Sequence, residues 1–161
     1  MRVETREPGG SDVRARVDPD LPAGELRRSD DELRVGAPDL PNGDGLRTAA
    51  AAAARALRRE GGSVAWQARD DGEVRAIVEG TAYGAYDPGL FKRGYPDRAE
   101  LTLALHAPAE LHELAQRQAT IARHLDSARN LANRPPNDLT PTALAEHAKK
   151  HAGDALSVES H

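Results

Sequence analysis

The chain of 161 residues contains no cysteine, which removes disulfides, thiolate metal sites and a cysteine nucleophile together and suits a reducing compartment. Aromatic residues are only 3% of the sequence, so the core has to be built from Ala, Leu and Val. Long apolar runs are also missing. None could span a bilayer, and Met1-Arg2-Val3-Glu4 is not followed by the apolar stretch of a signal peptide. The formal net charge of −4 implies no general attraction to nucleic acid or to an acidic membrane face. These exclusions leave a soluble, cytoplasmic globular protein as the expectation, with neither nucleic acid nor membrane as a partner.

The length is enough for one ordinary domain with its own core. Residues 1–6 and 13–17 alternate charged and small apolar side chains, as an exposed strand does. Gly9-Gly10, Pro19, Pro22 and Gly24 interrupt them, so residues 1–30 are expected to form a weak edge hairpin or a loose arm. Glu32-Leu33-Arg34-Val35 is a short strand, and 38–45 is a loop dense in Pro, Gly, Asn and Asp. Asp44 is placed to cap a helix over 46–60, whose six consecutive alanines have the highest intrinsic helix propensity. Leu46, Ala50, Ala53 and Leu57 would be its buried stripe, and Gly61-Gly62 would end it. Arg55, Arg58 and Arg59 read as a solvated face favoured by the helix dipole, since no aromatic platform accompanies them.

Residues 63–68 read as a strand and Asp70-Asp71-Gly72 as a turn. A helix over 73–83 puts Val74, Ile77 and Val78 on one side, while Gly80 and Gly84 let it lie close to a neighbouring backbone. A loop over 87–96 and a strand over 101–105 follow. Strands alternating with helices call for an α/β sheet with helices packed on it.

Leu111, Leu114, Gln118, Ile121, Leu125, Ala128 and Ala132 recur at steps of three and four, the stripe of a long helix. Pro135-Pro136 should stop it near Asn133 and impose a stiff extended elbow. Thr140-Pro141 then opens a second helix over 142–151, with Thr140 as its cap and proline at its first position. Asn133, Asn137 and Thr140 can hydrogen-bond backbone groups that the prolines leave free. Residues 155–158 look like a strand.

Catalytic constellations are few. His147 and His151 are four apart, but position 148 is alanine where a zinc protease needs glutamate, and Lys149 and Lys150 repel cations. His106, His112 and His124 read as surface residues. Asp30-Asp31 and Asp70-Asp71 fit turn duty better than acid–base work. Ser127, His124 and Asp126 on one helix cannot form a relay. Residues 80–84 lack the pattern of a phosphate loop. No residue is assigned as catalytic, cofactor-binding or metal-binding.

Asn130-Leu131, Asn133, the run from Pro135 to Asn137, Leu139-Thr140-Pro141 and Leu144-Ala145 resemble the inter-domain segment of the leucyl (cytosol) aminopeptidases. Gly84-Ala85-Tyr86 and Phe91-Lys92 are similar to a glycine-aromatic stretch of that family's N-terminal domain, with Phe91 where tyrosine is usual. The resemblance covers residues 31–158. It implies a macro-like mixed α/β sheet flanked by helices over 1–108, a linker helix over 109–134, and over 135–161 the start of a catalytic domain that is cut short. It also implies hydrolysis of N-terminal residues from peptides by two divalent metals, zinc or manganese, bound beyond the elbow. This chain lacks the Asn-Thr-Asp-Ala-Glu-Gly-Arg segment of that site. The implied role is therefore structural, in a homo-oligomer (a hexamer in the family), without activity of its own and with peptide as the full-length enzyme's substrate. A freestanding macro-type module for a nucleotide or ADP-ribose, and a regulatory assembly domain, are the alternatives. An uncovered stripe on the long helix would lead to self-association or a mobile tail after Asn133.

Overall fold

Leu33, Val35, Val64, Trp66, Leu103 and Leu105 are at most 3% exposed, and they come from strands spread over seventy residues of chain. The computed structural model describes residues 1–41, 43–91, 99–152 and 156–159. The chain divides into two units, one of Met1–Asp87 and Pro96–Asp126 and one of Pro88–Tyr95 and Ser127–His161.

The first unit is built on a sheet of six strands: β1 (Arg2–Thr5), β2 (Asp12–Val17), β3 (Leu26–Arg28), β4 (Glu32–Val35), β5 (Gly62–Gln67) and β6 (Leu101–His106). Their spatial order is β1-β6-β5-β2-β4-β3, with every neighbouring pair parallel except the edge pair of β3 and β4. One face is apolar. Leu33 and Val35 of β4, Ala15 of β2, Val64 and Trp66 of β5 and Leu101, Leu103 and Leu105 of β6 join a single core there. The other face carries the alternate residues, among them Asp12, Arg14 and Arg16, as the period of two requires.

The N-terminal thirty residues are therefore not a weak edge hairpin or a loose arm. β1 pairs with β6, and β2 lies inside the sheet between β5 and β4. The sequence misleads because two strands joined by a few residues are normally a hairpin, while a parallel connection normally takes a dozen residues or more. Here residues 6–11 alone carry the chain past β6 and β5. The 26–28 strand was not anticipated.

Two helices pack on the apolar face. α1 (Asp44–Leu57) buries Ala50, Ala53 and Leu57 as expected, and Ala49, Ala51 and Ala54 as well, while Leu46 is only half-buried. Its cap is not Asp44. Gly43, in the left-handed conformation at φ 75°, precedes it, and Asp44 sits in the first turn, where its charge suits the helix dipole and pairs with Arg47. α2 (Asp71–Ala85) buries Val74, Ile77 and Val78 completely. A Cβ on Gly80 would overlap the carbonyl oxygen of Arg47, and one on Gly84 that of Ala51. Both glycines thus let α2 touch the backbone of α1. A short helical turn at Pro88–Phe91 follows α2. The rest of that loop, 92–98, lies outside the described residues.

α3 (His112–Asn133) begins in the first unit and ends in the second. Leu111 and Ala115 enter the core, and Ala115, Gln118 and Ala122 are its buried residues. Ile121 is 43% exposed and Leu125 50%. The buried line keeps Leu111 and Gln118 of the expected stripe but runs through Ala115 and Ala122 in place of Ile121 and Leu125. In the second unit α4 (Pro141–His151) follows the proline segment. Residues 156–158 form no strand, and Ala155 lies outside the described residues.

Candidate functional site

α3 stops at Asn133, where the prolines require it, and the Asn133 side chain donates to the carbonyl oxygen of Arg129 at 2.9 Å. The elbow beyond is a closed turn, not an extended one. The Pro135 carbonyl accepts from the amides of both Asp138 and Leu139 at 2.9 Å. Proline cannot donate, but its carbonyl is an ordinary acceptor. The Arg134 guanidinium grips Asp138 at 2.7 Å across the turn and holds that carboxyl below its usual range. Thr140 then accepts from the Ala143 amide at 3.2 Å, with Pro141 inside the first turn of α4. Thr140 caps α4 as expected, while Asn133 bonds a carbonyl within α3 and not one that the prolines leave free. The Arg134–Asp138 bridge was not anticipated, although i,i+4 charge spacing is a readable signal.

On α4 the rings of His147 and His151 stack with centroids 4.0 Å apart and planes 22° from parallel. His151 Nδ1 stands 2.8 Å from the His147 carbonyl oxygen. Desolvation, then the neighbouring His151, lowers the pKa of His147. Rings stacked this way lie in nearly parallel planes, so their in-plane lone pairs do not converge on one ion. Among the described residues no group of three or more His, Cys, Asp or Glu could hold a metal. The zinc or manganese pair implied by the resemblance thus does not fit the side chains described.

The first unit holds a second polar centre. Arg6 forks onto Asp12 at 2.6 and 2.9 Å and reaches Glu4 at 2.8 Å. The Asp12 side chain is fully buried, and Arg6 holds its carboxyl far below the usual range, with the Gly9 amide also donating to it. Asp12 starts β2 and Arg6 directly follows β1, so this pair clamps the short strap between the two strands. Ala65 and Ala104, which share a sheet face with Asp12, are 3% and 1% exposed. His106 Nδ1 stands 3.0 Å from Glu7 of the strap. The centre was missed because its partners belong to strands whose pairing could not be read.

Several of the remaining candidates have structural partners. Asp70 accepts from the Glu73 amide at 2.8 Å and caps α2, while Glu73 accepts from the Arg69 amide, so the carboxylates serve a helix start. His106 and His112 are half-buried and not plain surface residues; His112 Nε2 lies 3.0 Å from the Ala107 carbonyl oxygen. His124 is exposed on α3. Gly80 and Gly84 are buried against α1, which leaves no room for a phosphate between them. Arg58 donates to the Tyr86 carbonyl at 3.0 Å and approaches Asp87 at 3.7 Å, so part of the expected solvated arginine face instead closes the end of α2.

No family model matches the chain. A probable cytosol aminopeptidase of Geotalea uraniireducens (strain Rf4) is 36% identical over 124 residues, 69% of this chain and 25% of the relative. A probable cytosol aminopeptidase of Rhodococcus jostii (strain RHA1) is 33% identical over 151 residues, 86% of this chain and 30% of the relative. The chain therefore spans between a quarter and a third of the length of these curated relatives. Among solved structures, the bottromycin maturation enzyme BotP in complex with Mn superposes with a TM-score of 0.68 at 23% identity, over 91% of this chain and 37% of that one. That likeness establishes a shared α/β fold.

Proposed function

On the premise that this chain is kin to the cytosol aminopeptidases, we propose that it is the N-terminal, non-catalytic portion of such an enzyme. In this reading residues 1–108 form a macro-like body, 109–134 a linker helix and 135–161 the entry to a catalytic domain. The observation that carries it is the partial match: 36% identity confined to 25% of a relative's length. The elbow supports it. Its turn, salt bridge and cap fix the direction in which the chain leaves α3, which is what a junction between domains needs. The role is then structural, and peptide and the two divalent metals belong to the longer enzyme. Cytoplasmic residence goes with this reading, as does self-association through the exposed Ile121 and Leu125 of α3.

The test is hydrolysis of leucine p-nitroanilide by the purified 161-residue chain with manganese or zinc. No turnover above the metal alone is expected. Saturable hydrolysis by this chain would overturn its non-catalytic assignment.

A further inference from the structure

The sheet face opposite α1 and α2 bears a row of arginines. Register sets Arg16 of β2 opposite Arg34 of β4, and Arg34 opposite Arg27 of β3. Three guanidinium stems thus stand side by side across strands about 4.8 Å apart. Arg14 lies two residues before Arg16 on the same face, opposite Glu32. Like charges directly opposed weaken a sheet, so such a row calls for counter-charge. Glu32 takes Arg16 at 2.7 Å and Asp18 takes Arg34 at 3.2 Å. The exposed Arg14 and Arg27 side chains close no ion pair among the described residues, with Glu25, Asp30 or any other carboxylate.

We propose that Arg14 and Arg27, with Arg16 and Arg34 between them, form a docking surface for an acidic, extended peptide segment of a partner protein. The spacing selects the ligand. Arg14 and Arg27 are separated by two strand spacings and two residues of rise, about 12 Å at their stems. Carboxylates four residues apart on an extended chain span about 13 Å and lie on one side of it. Such a peptide brings one carboxylate to each unpaired guanidinium, its middle residue lying over β4 between Glu32 and Arg34. The two arginines already paired show that carboxylates are bound on this face. Nucleic acid fits less well: among the described residues the face carries no aromatic side chain for stacking, and the formal charge of the chain is −4. The surface stands independently of the aminopeptidase reading.

The experiment is fluorescence anisotropy with the full chain and a labelled, end-capped pentapeptide carrying glutamate at its first and fifth positions, beside its counterpart with glutamine there. Expected is binding of the glutamate peptide that weakens as salt rises, and no binding of the glutamine peptide. Arg14→Gln with Arg27→Gln should weaken it at least tenfold, each single change should weaken it less, and Arg55→Gln on α1 should leave it unchanged. Circular dichroism confirms that the variants are folded. Equal binding of both peptides, no binding at low salt, or full binding by the double variant would overturn the proposal. Tighter binding of a single-stranded oligonucleotide at the same residues would overturn the choice of a peptide.

Discussion

Gly84 of α2 lies so close to Ala51 of α1 that a β-carbon would overlap the Ala51 carbonyl oxygen, and Gly80 stands in the same relation to Arg47 one turn earlier. Glycine inside a helix ordinarily costs about 0.5–1 kcal/mol relative to alanine. At these two positions close approach reverses the sign.

Gly84→Ala and Gly80→Ala should therefore each destabilise the first unit by about 1–3 kcal/mol, the usual cost of overpacking, despite their gain in helix propensity. Gly10→Ala is the control, since nothing stands within 4 Å of its added carbon. Thermal unfolding would check this. A rise in melting temperature for Gly84→Ala would show that the helices do not touch there.

The close approach of α2 to a neighbouring backbone was legible in the sequence because it depends on local pattern, two glycines four apart in a helix; that the neighbour is the alanine-rich α1 was not. β5, β6 and the end of α3 were readable for the same reason. β1, β2 and β3 were not. Their partners are distant in sequence, and Asp12, Arg14 and Arg16 gave β2 the alternation of a solvated edge although it lies inside the sheet. The elbow's position followed from Pro135-Pro136, but its closure depends on the Pro135 carbonyl, which no residue pattern announces. The Arg6–Asp12 centre was hidden behind the unread strands.

That centre makes stability depend on pH in a stated direction. Arg6 depresses the carboxyl pKa of Asp12 in the folded protein, so its contribution is complete above the ordinary aspartate range and declines as pH falls below about 4. Asp12→Asn should lower stability at neutral pH by about 1.5–3 kcal/mol, the range for a hydrogen bond to a charged group. The cost should lie toward the low end, since Arg6 keeps a third of its side chain in water. The gap between parent and variant melting temperatures should narrow from about pH 5 to pH 2. A gap that stays constant would mean that Asp12 is not the titrating group.

Asp70→Ala removes the acceptor that caps α2 and should cost about 1 kcal/mol. Asp70→Ser should recover much of the loss, because a hydroxyl can accept the same Glu73 amide. Denaturant midpoints at an unchanged slope would measure it. Equal loss in the alanine and serine variants would point to a role other than capping.

Thr140 and Pro141 start α4, so Thr140→Ala should fray that helix by about 1 kcal/mol without weakening the sheet. Hydrogen exchange separates the two effects. The Ala143 amide, which donates to Thr140, should exchange several-fold faster, while the amides of β5 and β6 should keep their protection. This locality matters for the proposed junction. If the elbow only directs the chain out of α3, losing the cap disturbs α4 alone. If strand protection falls together with that of Ala143, the segment after the elbow supports the first unit itself, and its assignment as the entry to a separate domain fails.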